Sequence, residues 1–182
     1  YRDSIFKTAL AGLGVIVAVG LTLNKQGRPK LGYKGLEHLN QHSSVIEVAQ
    51  AIITVRQSKL PDPAILPNCG SFFKNPIVPE AQARALIEKY PNLVNYPAGP
   101  GMVKLAAGWL IEQCGLKGHV LGGVGVYSRQ ALILVNLGQG SGSDLLQLVR
   151  HVQSSVQRKY GVLIEPEPNL IPGFSEATTP GI

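Results

Sequence analysis

The feature that most restricts this chain is an apolar stripe near its C-terminal end. Leu145, Leu148, Val149, Val152 and Val156 recur at the three- and four-residue spacing of one helical face. Ser143 reads as the cap of that helix, Tyr160 as its last residue and Gly161 as the glycine that ends it. A helix with one apolar face needs an apolar layer to rest on, so strands must accompany it. A return strand is expected over 162–165, running into Pro166-Glu167-Pro168. Upstream, Gly122-Gly123-Val124-Gly125 leads into a strand over 131–136, and a shorter strand is expected over 68–73.

The remaining elements follow from their punctuation. Ser44-Val45-Ile46-Glu47 is a capping box, in which serine and glutamate satisfy orphan amides at a helix start. The helix behind it runs to about residue 57, with Val45, Val48, Ala49 and Ile52 on one face, and Pro61 and Pro63 stop it. Pro79 opens a helix over 79–90, and a small-residue helix over 104–114 ends at Gly115. Val15-Ile16-Val17-Ala18-Val19 is rich in β-branched residues and reads as part of a buried strand over 15–23. The fold class implied is mixed α+β: a small sheet with several helices, flanked by pieces of something else. Pro61-Asp62-Pro63 is a stiff hinge, which sets boundaries of 1–60, 61–161 and 162–182.

Composition narrows the function. Of 182 residues, 45% are apolar and 15% charged, which supports a packed core. The net charge of +6 calls for an anionic partner. Lysines and arginines are dispersed and aromatics make up only 6%, so a small phosphorylated ligand fits better than nucleic acid. The uncharged stretch from Thr8 to Asn24 is interrupted by Gly12, Gly14 and Gly20 and is short of the roughly 20 residues that a membrane span needs. Cys69 and Cys114 lack metal-ligand spacing and read as reduced thiols of a cytoplasmic protein. No metal site is expected. The chain opens at Tyr1 without methionine, which reads as a fragment of a longer polypeptide.

Three segments carry possible chemistry. Gly70-Ser71-Phe72-Phe73-Lys74-Asn75-Pro76 joins a glycine that admits close approach to a hydroxyl donor, a cation and an amide. The same residues also read as a tight turn with a buried aromatic pair. Gly122-Gly123-Val124-Gly125 has the glycines of a phosphate loop, but a strand follows it where a helix is required, so a tight bend is the better reading. Glu165-Pro166-Glu167 sets two carboxylates at i and i+2, on one face if the backbone is a strand, and also reads as a solvated strand end. His38, His42, His119 and His151 show no triad or metal spacing.

Their order is more specific than any one of them. Tyr1-Arg2-Asp3-Ser4-Ile5-Phe6-Lys7, Lys59-Leu60-Pro61-Asp62-Pro63 and Asn68-Cys69-Gly70-Ser71-Phe72-Phe73-Lys74-Asn75-Pro76 come first. Asn95-Tyr96-Pro97, the run from Val103 to Ile111, Leu116-Lys117-Gly118 and Glu165-Pro166-Glu167 follow. The series resembles the UDP-N-acetylenolpyruvoylglucosamine reductases of peptidoglycan synthesis, over nearly the whole chain. The resemblance implies a flavoenzyme in which NADPH reduces FAD and the enolpyruvyl ether of UDP-N-acetylglucosamine is then reduced to UDP-N-acetylmuramate. The flavin domain would lie mostly before Tyr1, and the full-length protein would be a monomer.

The resemblance assigns catalytic positions to Arg2, Ser71 and Glu167. Arg2 would hold the substrate carboxylate, Ser71 would donate the proton, and Glu167 would stand beside the enolate. Tyr33, Lys59, Asn75, Tyr96, Lys117 and Gln130 would line the substrate site, with Tyr96 as a lid. Neither lysine has an obvious acidic helix partner in the sequence. Two departures stand out: Pro168-Asn169 occupy the place of an apolar residue and arginine, and Tyr127 replaces a frequent histidine. A different class remains open, a stand-alone module that binds UDP-sugars without redox activity.

Overall fold

Helices and antiparallel sheets alternate along the chain, in the mixed α+β class that the patterning implies. The computed structural model describes residues 4–25 and 27–169. The chain divides into two compact units between Ala49 and Gln50.

In the first unit, Ser4 Oγ accepts from the Phe6 amide at 3.3 Å and starts a 3₁₀ turn, Ile5–Lys7. Leu36 is fully buried. The strand expected over 15–23 does not form: residues 14–24 have no helix or strand through the last of them, and Val15 and Val17 are 85% and 92% exposed. A strand exists only through ladder partners, and no described segment pairs with this one. The first helix, α1 (Val45–Lys59), crosses the boundary between the units. Its capping box is present as read, with Ser44 N–H donating to Glu47 Oε2 at 2.7 Å and Glu47 N–H to Ser44 Oγ at 3.2 Å. The apolar face of α1 is not inward: none of its residues is buried.

The second unit holds a four-stranded sheet in the order β1 (Asn68–Ser71), β7 (Ile133–Asn136), β6 (Val124–Val126), β5 (Val120–Leu121). A three-stranded sheet runs β2 (Ile77–Pro79), β4 (Met102–Leu105), β3 (Asn95–Pro97). All pairings are antiparallel. Helices α2 (Glu80–Lys89), α3 (Ala107–Gln113) and α4 (Gly142–Tyr160) complete it. Pro79, expected inside the first turn of α2, is instead the last residue of β2 and lies just before the helix, with extended ψ and no side-chain cap.

Helix α4 carries the core. Leu148, Val152 and Val156 are fully buried, and they cluster with Leu110 and Ile111 of α3, Phe73 and Ile164. Each such side chain contributes roughly 1.5–3 kcal/mol of apolar burial. The cap of α4 is Ser141 rather than Ser143. Ser141 Oγ accepts from Asp144 N–H at 3.1 Å while Asp144 Oδ2 accepts from Ser141 N–H at 2.8 Å. Aspartate thus does the work usually given to glutamate in this motif, which hid the true start. Gly161 ends α4 at φ 65°, in the left-handed conformation that glycine adopts without a Cβ clash.

Two further expectations change. The helix expected over 104–114 begins only at Ala107, because 102–105 pairs on both sides as the central strand β4. The return strand over 162–165 is reduced to one bridge between Phe73 and Pro166. Pro166 and Pro168 have no amide to extend a ladder.

Gly122-Gly123 forms the turn between β5 and β6, as the bend reading has it. A Cβ on Gly123 would lie 2.6 Å from the Gly140 Cα, against backbone that cannot move aside. Gly123→Ala is therefore expected to lower the urea midpoint of unfolding by the equivalent of about 1–3 kcal/mol. Gly32→Ala, where an added methyl meets nothing within 4 Å, leaves the midpoint within error.

Candidate functional site

The site is built on Phe72 and Phe73. Both rings are buried, 5.3 Å apart and edge-on. Burying two successive aromatics traps their backbone between neighbours on both sides. On one side Phe72 N–H donates to Leu132 O at 2.7 Å. On the other, Lys74 N–H donates to Glu165 O at 2.8 Å and Glu167 N–H to Phe72 O at 2.7 Å. Ser71, the last residue of β1, and Glu167 are thereby held in neighbouring backbone positions, although 96 residues separate them in sequence. Both side chains are half-buried. Glu165 is exposed and forms an ion pair with Lys74 at 3.4 Å, so the two carboxylates of the Glu-Pro-Glu run have different surroundings.

Asn75 and Gln130 join the same framework. Asn75 Oδ1 accepts from Ala107 N–H at 3.0 Å and so caps α3, whose own preceding residue, Ala106, offers no side-chain cap. Gln130 Oε1 accepts from Leu132 N–H at 3.3 Å and lies where a Cβ on Gly108 would come within 3.4 Å of it. Leu132 in turn accepts from Phe72. One set of hydrogen bonds thus links the settings of Ser71, Glu167, Asn75 and Gln130.

Tyr96 is half exposed on β3, and Lys104 on the facing strand sits over its ring at 5.5 Å from the centroid. Lys104 escaped the sequence reading because its segment was taken as helix. The short run Met102-Val103-Lys104-Leu105, bounded upstream by Gly99-Pro100-Gly101, was the available strand signal.

Lys117 stands beyond the opposite end of α3 from Asn75, and a seven-residue helix is roughly 10 Å long. It does have an acidic partner, contrary to the sequence reading. Glu112 Oε1 lies 3.1 Å from its Nζ. Five residues apart and across the end of α3, the two meet only because the chain turns at Gly115. Lys59 is the exposed last residue of α1. Tyr33 is exposed in the first unit. Arg2 lies outside the described residues.

A cleft of about 610 Å³ borders Cys69 and Gly70, immediately before Ser71, and Arg56 and Asp62 also line it. That volume suits a small-molecule ligand. A Cβ on Gly70, at φ 76°, would meet nothing within 4 Å, so the backbone here is open to a flat group. Cys69 is exposed to solvent, and partial desolvation pushes its thiol up, which favours the neutral form. Among the described residues no group of three His, Cys, Asp or Glu is placed to hold a metal ion. No described helix is long and apolar enough to cross a membrane.

The family model for the C-terminal domain of UDP-N-acetylenolpyruvoylglucosamine reductase matches residues 62–171. This chain belongs to that family. The enzyme of that name from Chromobacterium violaceum is 49% identical over 94% of this chain and 52% of its own length. The one from Photobacterium profundum is 48% identical over 98% and 52%. A crystal structure of the reductase from Thermus caldophilus aligns with 70% of this chain and 35% of its own, at 26% identity and a TM-score of 0.42. The chain spans about half the length of the relatives it matches.

Behind Lys117, the His119 and His151 rings stack at 4.8 Å and 23°. Burial first, then His119 and Arg158, hold the His151 imidazole below its ordinary range. The folded chain therefore takes up fewer protons than the unfolded chain, and stability falls as pH drops below about 6.5. The urea midpoint is expected to decline between pH 7.5 and 5.5, and His151→Gln flattens that decline. Equal slopes in both proteins would refute this.

Proposed function

We propose that this chain forms the substrate side of a UDP-N-acetylenolpyruvoylglucosamine reductase, in which an enolpyruvyl ether becomes a lactyl ether. The observation that supports the reading is the hydrogen bond from Glu167 N–H to Phe72 O, which brings the Glu167 backbone against the residue that follows Ser71. The open backbone at Gly70 and the cleft that it borders leave room for a ligand on the chain just before Ser71. FAD reduced by NADPH would be held mainly by the part of a full-length polypeptide outside this chain and, when bound, would supply hydride to the vinyl carbon.

Hydride addition leaves carbanion character on the carbon next to the carboxylate, and that carbon must gain a proton. Ser71 donates it. A hydroxyl is a weak acid, but a carbanion-like carbon is basic enough to take its proton at short range. Glu167 stands beside the enolate, and Arg2 grips the carboxylate through two donors. Lys59 and Lys117 face the diphosphate, with Tyr33, Asn75, Tyr96 and Gln130 around the sugar nucleotide. Asn75 uses its Oδ1 to cap α3, and its amide hydrogens serve the ligand.

In a polypeptide of the relatives' full length, Ser71→Ala is expected to leave flavin reduction by NADPH intact. Reoxidation by substrate should slow by about 10²–10⁴-fold, the usual worth of a general acid. Ser71→Cys should recover part of it. A normal oxidative half-reaction in Ser71→Ala would end the assignment.

Lys117→Ala is expected to raise the substrate KM with little change in kcat. Glu112→Gln should lower KM, because it releases Lys117 from its ion pair. A reduced kcat at unchanged KM in Lys117→Ala would reject the phosphate role.

A further inference from the structure

We propose that Gln153 is a positioning residue that sets where Glu167 stands, an inference that rests on the role given to Glu167 above. Gln153 lies on α4 beside the buried stripe of Val149, Val152 and Val156, and is itself half-buried. Its Nε2 donates to Ile164 O at 2.8 Å. Ile164 is fully buried, so its carbonyl needs a partner from within the protein.

The stretch that follows Gly161 is anchored by the buried Val162 and Ile164 side chains, and its backbone is held by few hydrogen bonds between described residues. It makes one bridge, at Pro166, and its prolines at 166 and 168 have no amide to donate. The Lys74 amide binds Glu165 O, and the Glu167 amide binds Phe72 O. Gln153 ties the same stretch to the helix, three residues before Glu167. Without that tie the backbone between the buried Ile164 side chain and the bridge at Pro166 can reorient. Three extended residues span about 10 Å, so a small rotation at Ile164 displaces Glu167 by an ångström or more. A misplacement of about 1 Å can cost a reaction on the order of 10²-fold. The side chain must be long enough to reach, neutral and a donor, which glutamine is and methionine or ionised glutamate is not.

Two variants test this. In the present chain, Gln153→Met should accelerate amide hydrogen exchange at Lys74 and Glu167 at least ~10-fold, with β6 and β7 amides unchanged. In a polypeptide of the relatives' full length, it should slow reoxidation of the flavin by substrate by ~10–100-fold. Reduction by NADPH and the substrate KM should hold. Gln153→Glu should be impaired at pH 8 and recover toward pH 5, where the new carboxyl gains a proton to donate. Glu167→Gln is measured alongside. If Glu167→Gln reoxidises normally, the role of Glu167 fails and the proposal falls with it. If Glu167→Gln is impaired but the Gln153 variants react normally, the positioning role alone is overturned. Exchange that is unchanged, or accelerated uniformly across the chain, also overturns it.

Discussion

The candidate centre depends on one short antiparallel contact, in which residues 72–74 lie against residues 165–167. Its hydrogen bonds are few, and each is worth only about 0.5–1.5 kcal/mol net. The contact persists because both partners are pinned by burial elsewhere. Phe72 and Phe73 drive two rings into the core from one strand, and Val162 and Ile164 do the same from the other. Apolar burial supplies the energy, and the hydrogen bonds set the register. A serine and a glutamate that are remote in sequence thus share one place.

The polar residues around this contact serve two purposes. Asn75 ends the Ser71 segment and starts α3, so the helix and the strand cannot shift independently. Gln130 braces Leu132, whose carbonyl receives the Phe72 amide. Side chains already committed through their oxygen atoms are preorganised, and their amide hydrogens stay available. Lys104 over Tyr96 extends the arrangement along the adjacent three-stranded sheet, since Lys104 pairs with both Ile77 and Tyr96.

Family membership rests on residues 62–171, and the elements read most accurately from sequence fall in the same region. The stripe of α4, the helix that follows Pro79, the glycine at the end of α4 and the bend at Gly122-Gly123 are all local signals with local causes. The strand expected over 15–23 and the inward face of α1 were read from equally good patterns. Neither is buried, because β-rich sequence becomes a strand only beside another strand. A hydrophobic pattern states what a segment needs and not whether the need is met.

By itself the sequence determined which segments are helices, where they stop to within about two residues and which of their faces are apolar, because capping, proline geometry and periodicity act within a few residues. It also carried the order of motifs by which the family is known. Tertiary structure alone decided that 102–105 is a central strand, that Lys117 pairs with Glu112, and that Gln153 holds Ile164. It alone brought Glu167 to Phe72, next to Ser71. Such pairings join residues up to 95 positions apart, and their partners are chosen by which apolar surfaces can be buried together, a choice that no local spacing records.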